Sequence, residues 1–112
     1  MSGDPSVSVI CPAYNCASFI ISALESVFAQ SYRPIEVIVV DDGSTDATPE
    51  LIKNYPDVRY LRQANRGPSA ARNSGIRAAQ GELVAFLDVD DLWVADKLSE
   101  QVDVLQSHPQ AG

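Results

Sequence analysis

The stretch LVAFLDVDD, residues 83–91, decides the fold, because an apolar run here ends in three aspartates within four residues. A continuous apolar run is typical of a strand buried on both faces, as in a parallel sheet covered by helices. Ligands of such sheets bind beyond the carboxyl ends of the strands. Carboxylates packed this closely repel one another unless a cation lies between them. The stretch therefore predicts either a divalent-metal site with oxygen ligands or an aspartate-rich turn and helix cap.

The composition favours a globular domain that does not bind polyanions. The 112 residues, 46% of them hydrophobic, suffice for one domain or for part of a larger one. Eight basic residues against 15 acidic ones give a net charge of -7, which argues against nucleic acid or anionic membranes as partners. No apolar run approaches the roughly 20 residues of a membrane span, and residues 1–5 lack the features of a signal peptide. We therefore expect a cytoplasmic protein without a membrane span.

Strand and helix patterns alternate along the chain. Apolar runs predict strands at residues 7–11, 35–40, 58–61 and 83–87, and helical periodicity predicts helices at 18–30, from the Ser44–Thr45 region to Tyr55, at 69–79 and at 94–106. Pro12 is expected to close the first strand, Ser44 or Thr45 to cap the second helix, and Gly81 to end the third. Four strand-helix units predict an α/β fold with a mostly parallel, Rossmann-like sheet flanked by helices.

The last predicted helix is followed by the end of the chain, where the alternation predicts another strand. We therefore expect a truncated domain with an open sheet edge, through which two copies could pair as a homo-oligomer.

Cys11 and Cys16 lie five residues apart, which fits neither a CxxC pair nor a zinc site. They are expected to be reduced structural thiols.

Polar clusters follow three of the predicted strands, at residues 12–15, 41–46 and 88–91. In a parallel sheet all three converge on the carboxyl edge. One carboxylate there can accept a hydrogen bond from a base N–H or from ribose hydroxyls, and another can hold a metal that bridges a diphosphate. The pattern indicates a nucleoside diphosphate site. Neither a P-loop nor a GxGxxG motif is present, which argues against ATPases and dinucleotide-dependent dehydrogenases.

The sequences VSVICPAYN (7–15), VVDDGSTD (39–46) and GELVAFLDVDD (81–91) resemble, in this order, the N-terminal half of family 2 glycosyltransferases. The resemblance implies the GT-A fold, with residues 1–112 as the nucleotide-sugar (donor) binding half and the acceptor half absent. It also implies transfer of a sugar, with inversion, from a nucleotide-sugar, in most cases a UDP-sugar, to an acceptor hydroxyl in cell-surface polysaccharide biosynthesis. The implied cofactor is Mn2+ or Mg2+. The implied acceptor is a saccharide or a lipid-linked molecule, with the intact protein cytoplasmic or peripheral at the inner face of the membrane.

The resemblance also assigns site residues by position. It implies that Pro12, Ala13 and Tyr14 pack on the base, that Asp42 accepts the base N–H while Asp41 orients the loop, that Asp88 is the ribose-side aspartate, and that Asp90, or alternatively Asp91, binds the metal. Asn73, one turn into the third helix, is a further candidate for hydrogen bonding to the nucleotide. No residue of the chain matches the general base, which is expected beyond Gly112.

Several of these residues also have a plainer interpretation. Tyr14 could be a strand-end aromatic that covers the core, and Asp46 is expected to be a turn or N-cap residue. Arg66 and Arg72 could assist a phosphate at a helix N-terminus or lie on the surface. Trp93 could line a sugar pocket or anchor the last helix.

Other classes share the acidic strand ends. A phosphatase of the haloacid dehalogenase type needs its aspartates on an early strand, and a nucleotidyltransferase needs a Gly-rich basic loop after the first strand. A receiver domain needs an acidic pair where Pro12 stands. A nucleotide-binding fragment without turnover is the remaining alternative.

Overall fold

In the computed structural model of the protein, residues 5–34, 36–88 and residue 102 are described, and they form a four-stranded sheet flanked by three helices. The strands are β1 Val7–Ala13, β2 Glu36–Asp41, β3 Val58–Arg62 and β4 Leu83–Phe86. The helices are α1 Ile20–Phe28, α2 Thr48–Ile52 and α3 Pro68–Ala78. The elements follow the predicted order, with boundaries that differ by a few residues.

The four strands are all parallel and lie in the order β3-β2-β1-β4. Val9 of β1 pairs with Val37 of β2 on one side and with Ala85 of β4 on the other. This arrangement confirms the predicted Rossmann-like α/β sheet. Because the strands are parallel, their carboxyl ends lie at one edge, where the polar clusters were predicted to meet.

The sheet has a core on each face. The larger cluster packs α1 and α2 against the residues of β1 and β2 that point to one side, among them Val9, Cys11 and Val39. The smaller one packs α3 against Ile10, Ile38 and Val40 on the other side. Each fully buried aliphatic side chain contributes about 1.5–3 kcal/mol.

Helix α1 depends on this packing, because it has no side-chain cap and no acidic residue in its first turn. Its inner positions Ile20, Leu24 and Val27 are completely buried. Nine residues are too few for a helix that is stable alone in water. Burial in the larger core cluster therefore holds α1 in place.

The prediction that residues 83–87 are buried on both faces is wrong for part of β4. Ala85 and Leu87 are buried, but Phe86 is 39% exposed. The reason is that α3 packs over β1 and β2, so the side chain of Phe86 on the neighbouring strand lies beyond the cover that α3 provides. The central strands β1 and β2 show the two-sided burial that the apolar runs predict.

Pro12 does not close β1, contrary to the prediction. It lies within the strand and pairs with Val40 of β2. The carbonyl of Ala13 accepts from Asp42 of the β2 side, whereas the carbonyl of Ile10 accepts from Leu87 on the β4 side. Backbone N–H and C=O groups of residues two apart in a strand point to the same neighbouring strand, so those of Pro12 point to the β4 side, as those of Ile10 do. The N–H that Pro12 lacks would therefore face a position past the last residue of β4. The hydrogen bonds between β1 and β2 are not interrupted.

Two predicted helix ends are also wrong. Helix α2 begins after Ala47, and the Ser44 and Thr45 hydroxyls do not cap it. Helix α3 ends at Ala78 and its C-cap residue Ala79 is extended, so Gly81 is not the C′ residue. A Cβ on Gly81 would lie 2.7 Å from the backbone nitrogen of Ser8, so this glycine instead allows the loop before β4 to approach β1 closely.

Some predictions concern residues outside the described part of the chain. These include Asp90, Asp91, Trp93 and the helix predicted at 94–106, of which only Val102 is described, as a buried helical residue. Within residues 5–34 and 36–88, no helix is long and apolar enough to cross a membrane. Pairing of two copies through a sheet edge stays a prediction.

Candidate functional site

A cleft of about 410 Å³ opens at the carboxyl edge of the sheet, where β1 and β2 end beside the start of α3. Its walls are mainly apolar, with one carboxylate and one aromatic ring. They are formed by Pro12, Ala13, Tyr14, Asp42, Asn65, Gly67, Pro68 and Ala71. Four of the residues predicted to contact a nucleotide therefore meet in one cleft, which can hold a flat, partly apolar group.

Tyr14 stands at the mouth of this cleft. Its side chain is 51% exposed and belongs to neither core cluster, so the interpretation as a residue that covers the core is wrong. The backbone on either side of Tyr14 is fixed by the loop after β2. Ala13 accepts from the Asp42 amide at 2.8 Å, and the Asn15 amide donates to Ser44 Oγ at 2.9 Å.

Asp41 is completely buried at the end of β2 and lines neither described cleft at this edge. Its Oδ1 accepts from the Ser44 amide at 2.8 Å, and its Oδ2 accepts from Tyr60 at 2.6 Å and from Arg62 at 3.1 Å. Burial, and then the bond to Asp41, raise the pKa of Tyr60, which keeps its hydroxyl a donor near neutral pH. Such bonding suits the loop-orienting role that was predicted for Asp41.

Asp42 is nearly buried but reaches the cleft wall. Its Oδ1 accepts from Gln63 Nε2 at 2.9 Å and from the Arg66 amide at 2.8 Å, and its Oδ2 accepts from the Gly67 amide at 2.8 Å. Burial alone would raise the pKa of Asp42, but these hydrogen bonds outweigh it and hold the pKa below its usual value. The carboxylate also stabilises the positive end of α3, whose N-cap residue Gly67 provides no side-chain cap.

A second cleft, of about 470 Å³, adjoins the first and shares Pro12, Tyr14 and Pro68 with it. Its charged groups are Arg72 and Asp88, which form an ion pair at 3.6 Å. Asp88 is 60% exposed, so a ligand can reach it. One end of the combined site is thus apolar and the other is charged.

The remaining candidates lie further out. Asn73 is exposed on α3 and lines neither of these two clefts, so its contact with a nucleotide stays a prediction. Asp46 accepts from the Thr48 amide at 2.9 Å and from the Ala17 amide at 3.1 Å, which confirms it as a turn residue, while the N-cap residue of α2 is Ala47. The exposed Arg66 contributes its amide to Asp42, and Arg72 is an ion-pair partner as well as a cleft residue.

The sequence analysis did not predict functional residues at the end of β3. The end of β3 brings Arg62 and Gln63 to the same edge, and these side chains hold Asp41 and Asp42. The polar residues at the end of the third apolar run were the signal that could have found them, since every strand of a parallel sheet ends at this edge.

The two cysteines are free and buried, as predicted. Burial raises the pKa of both thiols, with further contributions from nearby acidic groups. Among residues 5–34 and 36–88 no cluster of three or more His, Cys, Asp or Glu side chains could hold a metal ion. Asp90 and Asp91, the predicted metal ligands, lie outside the described residues.

Comparison with known proteins identifies the family of this fold and site. Residues 8–112 match the family model described as glycosyl transferase family 2. An Escherichia coli UDP-Glc:alpha-D-GlcNAc-diphosphoundecaprenol beta-1,3-glucosyltransferase is 40% identical over 104 residues, which are 90% of this chain and 41% of that protein. The chain spans less than half the length of this protein and of similar curated relatives, for example 18% of a Rickettsia felis glycosyltransferase and 44% of one from Haemophilus influenzae.

Two solved structures are similar in fold. S. aureus TarS 1-349 in complex with UDP has a TM-score of 0.82 and 32% identity, over 93% of this chain and 33% of that one. The mannosyltransferase PcManGT from Pyrobaculum calidifontis, in complex with GDP-Man and Mn2+, has a TM-score of 0.80 and 36% identity over the same shares. These similarities confirm the predicted GT-A fold.

Proposed function

Because the chain belongs to glycosyl transferase family 2, whose model it matches over residues 8–112, we propose that it forms the donor-binding half of a glycosyltransferase. The protein would transfer a sugar, with inversion, from a nucleotide-sugar to an acceptor hydroxyl, and the 112 residues would bind the nucleotide. The observation that carries this proposal is the pair of adjoining clefts, one apolar and one charged, at the carboxyl edge of the sheet. A nucleoside diphosphate likewise has a flat, partly apolar base at one end and charged phosphates at the other.

The apolar cleft is the proposed base site. Tyr14 offers an exposed ring on which a base can stack, and Pro12 and Ala13 offer apolar contacts. A carboxylate has about four acceptor positions, and protein donors occupy three of those on Asp42. One position remains for a base N–H, which suits uracil. UDP in the complex of the TarS neighbour supports this choice.

The charged cleft is the proposed site of the ribose and the diphosphate. The exposed carboxylate of Asp88 can accept from ribose hydroxyls, and Asp90 would hold Mn2+ or Mg2+, with Asp91 as the alternative ligand. Carboxylate oxygens are the ligands that these ions prefer, so the residue types at this strand end fit a divalent ion. Mn2+ in the complex of the PcManGT neighbour supports the assignment.

The proposed mechanism divides the work between the two halves of the enzyme. The acceptor hydroxyl attacks the face of the anomeric carbon opposite the leaving nucleoside diphosphate, which gains negative charge as its bond to the sugar breaks. When bound, a divalent ion neutralises that charge without a proton transfer. Tyr14 and Asp42 fix the base, so the anomeric carbon is held at one place. The general base that takes the acceptor's proton is expected beyond Gly112, so we propose binding rather than turnover for these 112 residues alone.

The acceptor is proposed to be a saccharide or a lipid-linked sugar, in the synthesis of cell-surface polysaccharides. The printed name of the E. coli relative, with its diphosphoundecaprenol-linked acceptor, supports this choice. A donor of the UDP-sugar type and a lipid-linked acceptor would place the intact protein in the cytoplasm, peripherally at the inner face of the membrane.

Isothermal titration of the 112-residue chain with UDP, GDP and CDP, with and without Mn2+, tests the proposal. We expect UDP to bind more tightly with Mn2+ than without it. Asp90→Asn should remove the effect of Mn2+, whereas Asp57→Asn, which removes the same charge from an exposed turn, should not. No binding of any of these nucleotides at millimolar concentration would reject the donor site. Unchanged Mn2+ dependence in Asp90→Asn would reject the metal assignment.

A further inference from the structure

Arg62 lies at the end of β3 and lines neither of the two clefts. Its guanidinium nevertheless joins the end of β2, at Asp41, to the loop after β2, at Ser44. Nη1 donates to the buried carboxylate of Asp41 at 3.1 Å, and Nη2 donates to the carbonyl of Ser44 at 2.8 Å. A rigid fork of donors can hold two acceptors at a fixed separation. Arg62 therefore fixes Ser44 relative to the end of β2.

Ser44 passes this constraint to the loop after β1. Its Oγ accepts from the Asn15 amide at 2.9 Å, and Asn15 Oδ1 in turn accepts from the Thr45 amide at 2.7 Å. Asn15 has a φ of +48°, in the left-handed region, which asparagine adopts more readily than most residues other than glycine. The bonds from the second loop hold Asn15 in this conformation, next to the exposed ring of Tyr14.

We propose that Arg62 is a positioning residue for the nucleotide site, which acts through Ser44 and Asn15 on the orientation of Tyr14. The effect of Arg62 on nucleotide affinity rests on the proposed function, whereas its effect on the Ser44 and Asn15 loops does not. The protein is expected to fold without it, because Asp41 keeps its bonds from Tyr60 and from the Ser44 amide. What is lost is the ion pair from Nη1 to Asp41 and the Nη2 donor to the Ser44 carbonyl, and with that donor the fixed position of the loop.

Arg59 provides a matched control on the same strand. Its side chain is 44% exposed, against 46% for Arg62, and it also forms one ion pair, to Glu36 at 3.5 Å. Its other bond goes to the carbonyl of Ala78, at the end of α3 far from Ser44 in the sequence. Arg62→Met and Arg59→Met therefore remove the same charge from side chains of similar exposure on one strand.

The experiment measures UDP affinity by isothermal titration and amide hydrogen exchange by NMR, both on the whole 112-residue chain. We expect Arg62→Met to weaken UDP binding about tenfold, within the range of measured couplings between sites, and to speed exchange of the Asn15 and Thr45 amides by about tenfold. Arg59→Met should change neither. Arg62→Lys, which keeps the charge but not the fork, should lie between wild type and Arg62→Met.

Three results would overturn the proposal. Equal loss of UDP affinity in Arg62→Met and Arg59→Met would show a general effect of charge or stability. Unchanged exchange at Asn15 and Thr45 in Arg62→Met would show that the loop is held by other contacts. Wild-type behaviour of Arg62→Lys would show that the charge suffices. If wild-type protein binds no nucleotide, the proposed function fails, and the exchange measurements alone uphold or reject the coupling.

Discussion

Substitution of Gly75 by alanine tests how closely α3 approaches the sheet. A Cβ at this position would lie 2.4 Å from Cγ2 of Ile10 and 3.2 Å from its Cδ1 and Cγ1. Ile10 is completely buried in the middle of β1, so its side chain has no free space to move into. The added methyl group must therefore push α3 away from β1 or distort the rotamer of Ile10.

Two opposing effects set the magnitude. Alanine is a better helix former than glycine by about 1 kcal/mol, whereas overpacking a core costs about 1–3 kcal/mol. A separation of 2.4 Å is far inside van der Waals contact and involves a branch methyl close to the backbone, so we place the packing cost near the upper end. The net loss in the free energy of unfolding should be about 2 kcal/mol.

Urea denaturation followed by circular dichroism measures this loss directly. The double-mutant control uses Ile10→Leu, which keeps the volume of the side chain but removes the branch methyl, at a cost below about 1.5 kcal/mol. In that background Gly75→Ala should cost little, because Cγ2 is absent. An equal cost in both backgrounds would refute the contact with Ile10 as the cause. The same substitution should also weaken UDP binding, since α3 carries Pro68 and Ala71 of the apolar cleft.

Two further predictions concern titratable groups. Asp42→Asn should lower the free energy of unfolding at pH 7 by about 2–3 kcal/mol, because it replaces an acceptor facing three donors by an amide. The folded pKa of Asp42 is lowered, so its stabilisation is present above the unfolded value of about 3.9 and is lost as the pH falls through the folded value. Urea midpoints at pH 7 and pH 3 should therefore differ less in Asp42→Asn than in wild type or Asp57→Asn. The Cys11 and Cys16 thiols, whose pKa values are raised by burial, should react with iodoacetamide far more slowly in the native protein than in urea, and equal rates would contradict their burial.

The sequence could predict the sheet because the apolar runs of β1 and β2 are long and their two-sided burial leaves a clear pattern. It could not predict that Pro12 stays in the strand. That depends on which neighbour its missing N–H faces, a property of the register between β1 and β4. In the same way, the role of Gly81 depends on a loop that approaches Ser8, which lies 73 residues earlier in the chain.

The candidate site shows the same limit. Convergence of Tyr14, Asp42 and Asp88 follows from parallel strands alone, and was predicted. The division of work between Asp41 and Asp42 was anticipated only in outline, because it depends on donors from β3 and the loop after it. The Arg72–Asp88 pair joins α3 to the end of β4, and side-chain pairings between distant segments leave no periodic signal in a single sequence.

The strand order has a consequence for how the protein is made. β1 precedes the other three strands in the chain but lies inside the sheet, and its β4 neighbour is separated from it by the whole of α1, β2, α2, β3 and α3. Pairing across such a distance is slow compared with local folding. All residues that line the apolar cleft precede residue 72, whereas the charged cleft needs Asp88. A nascent chain would thus complete the apolar cleft before the charged cleft exists.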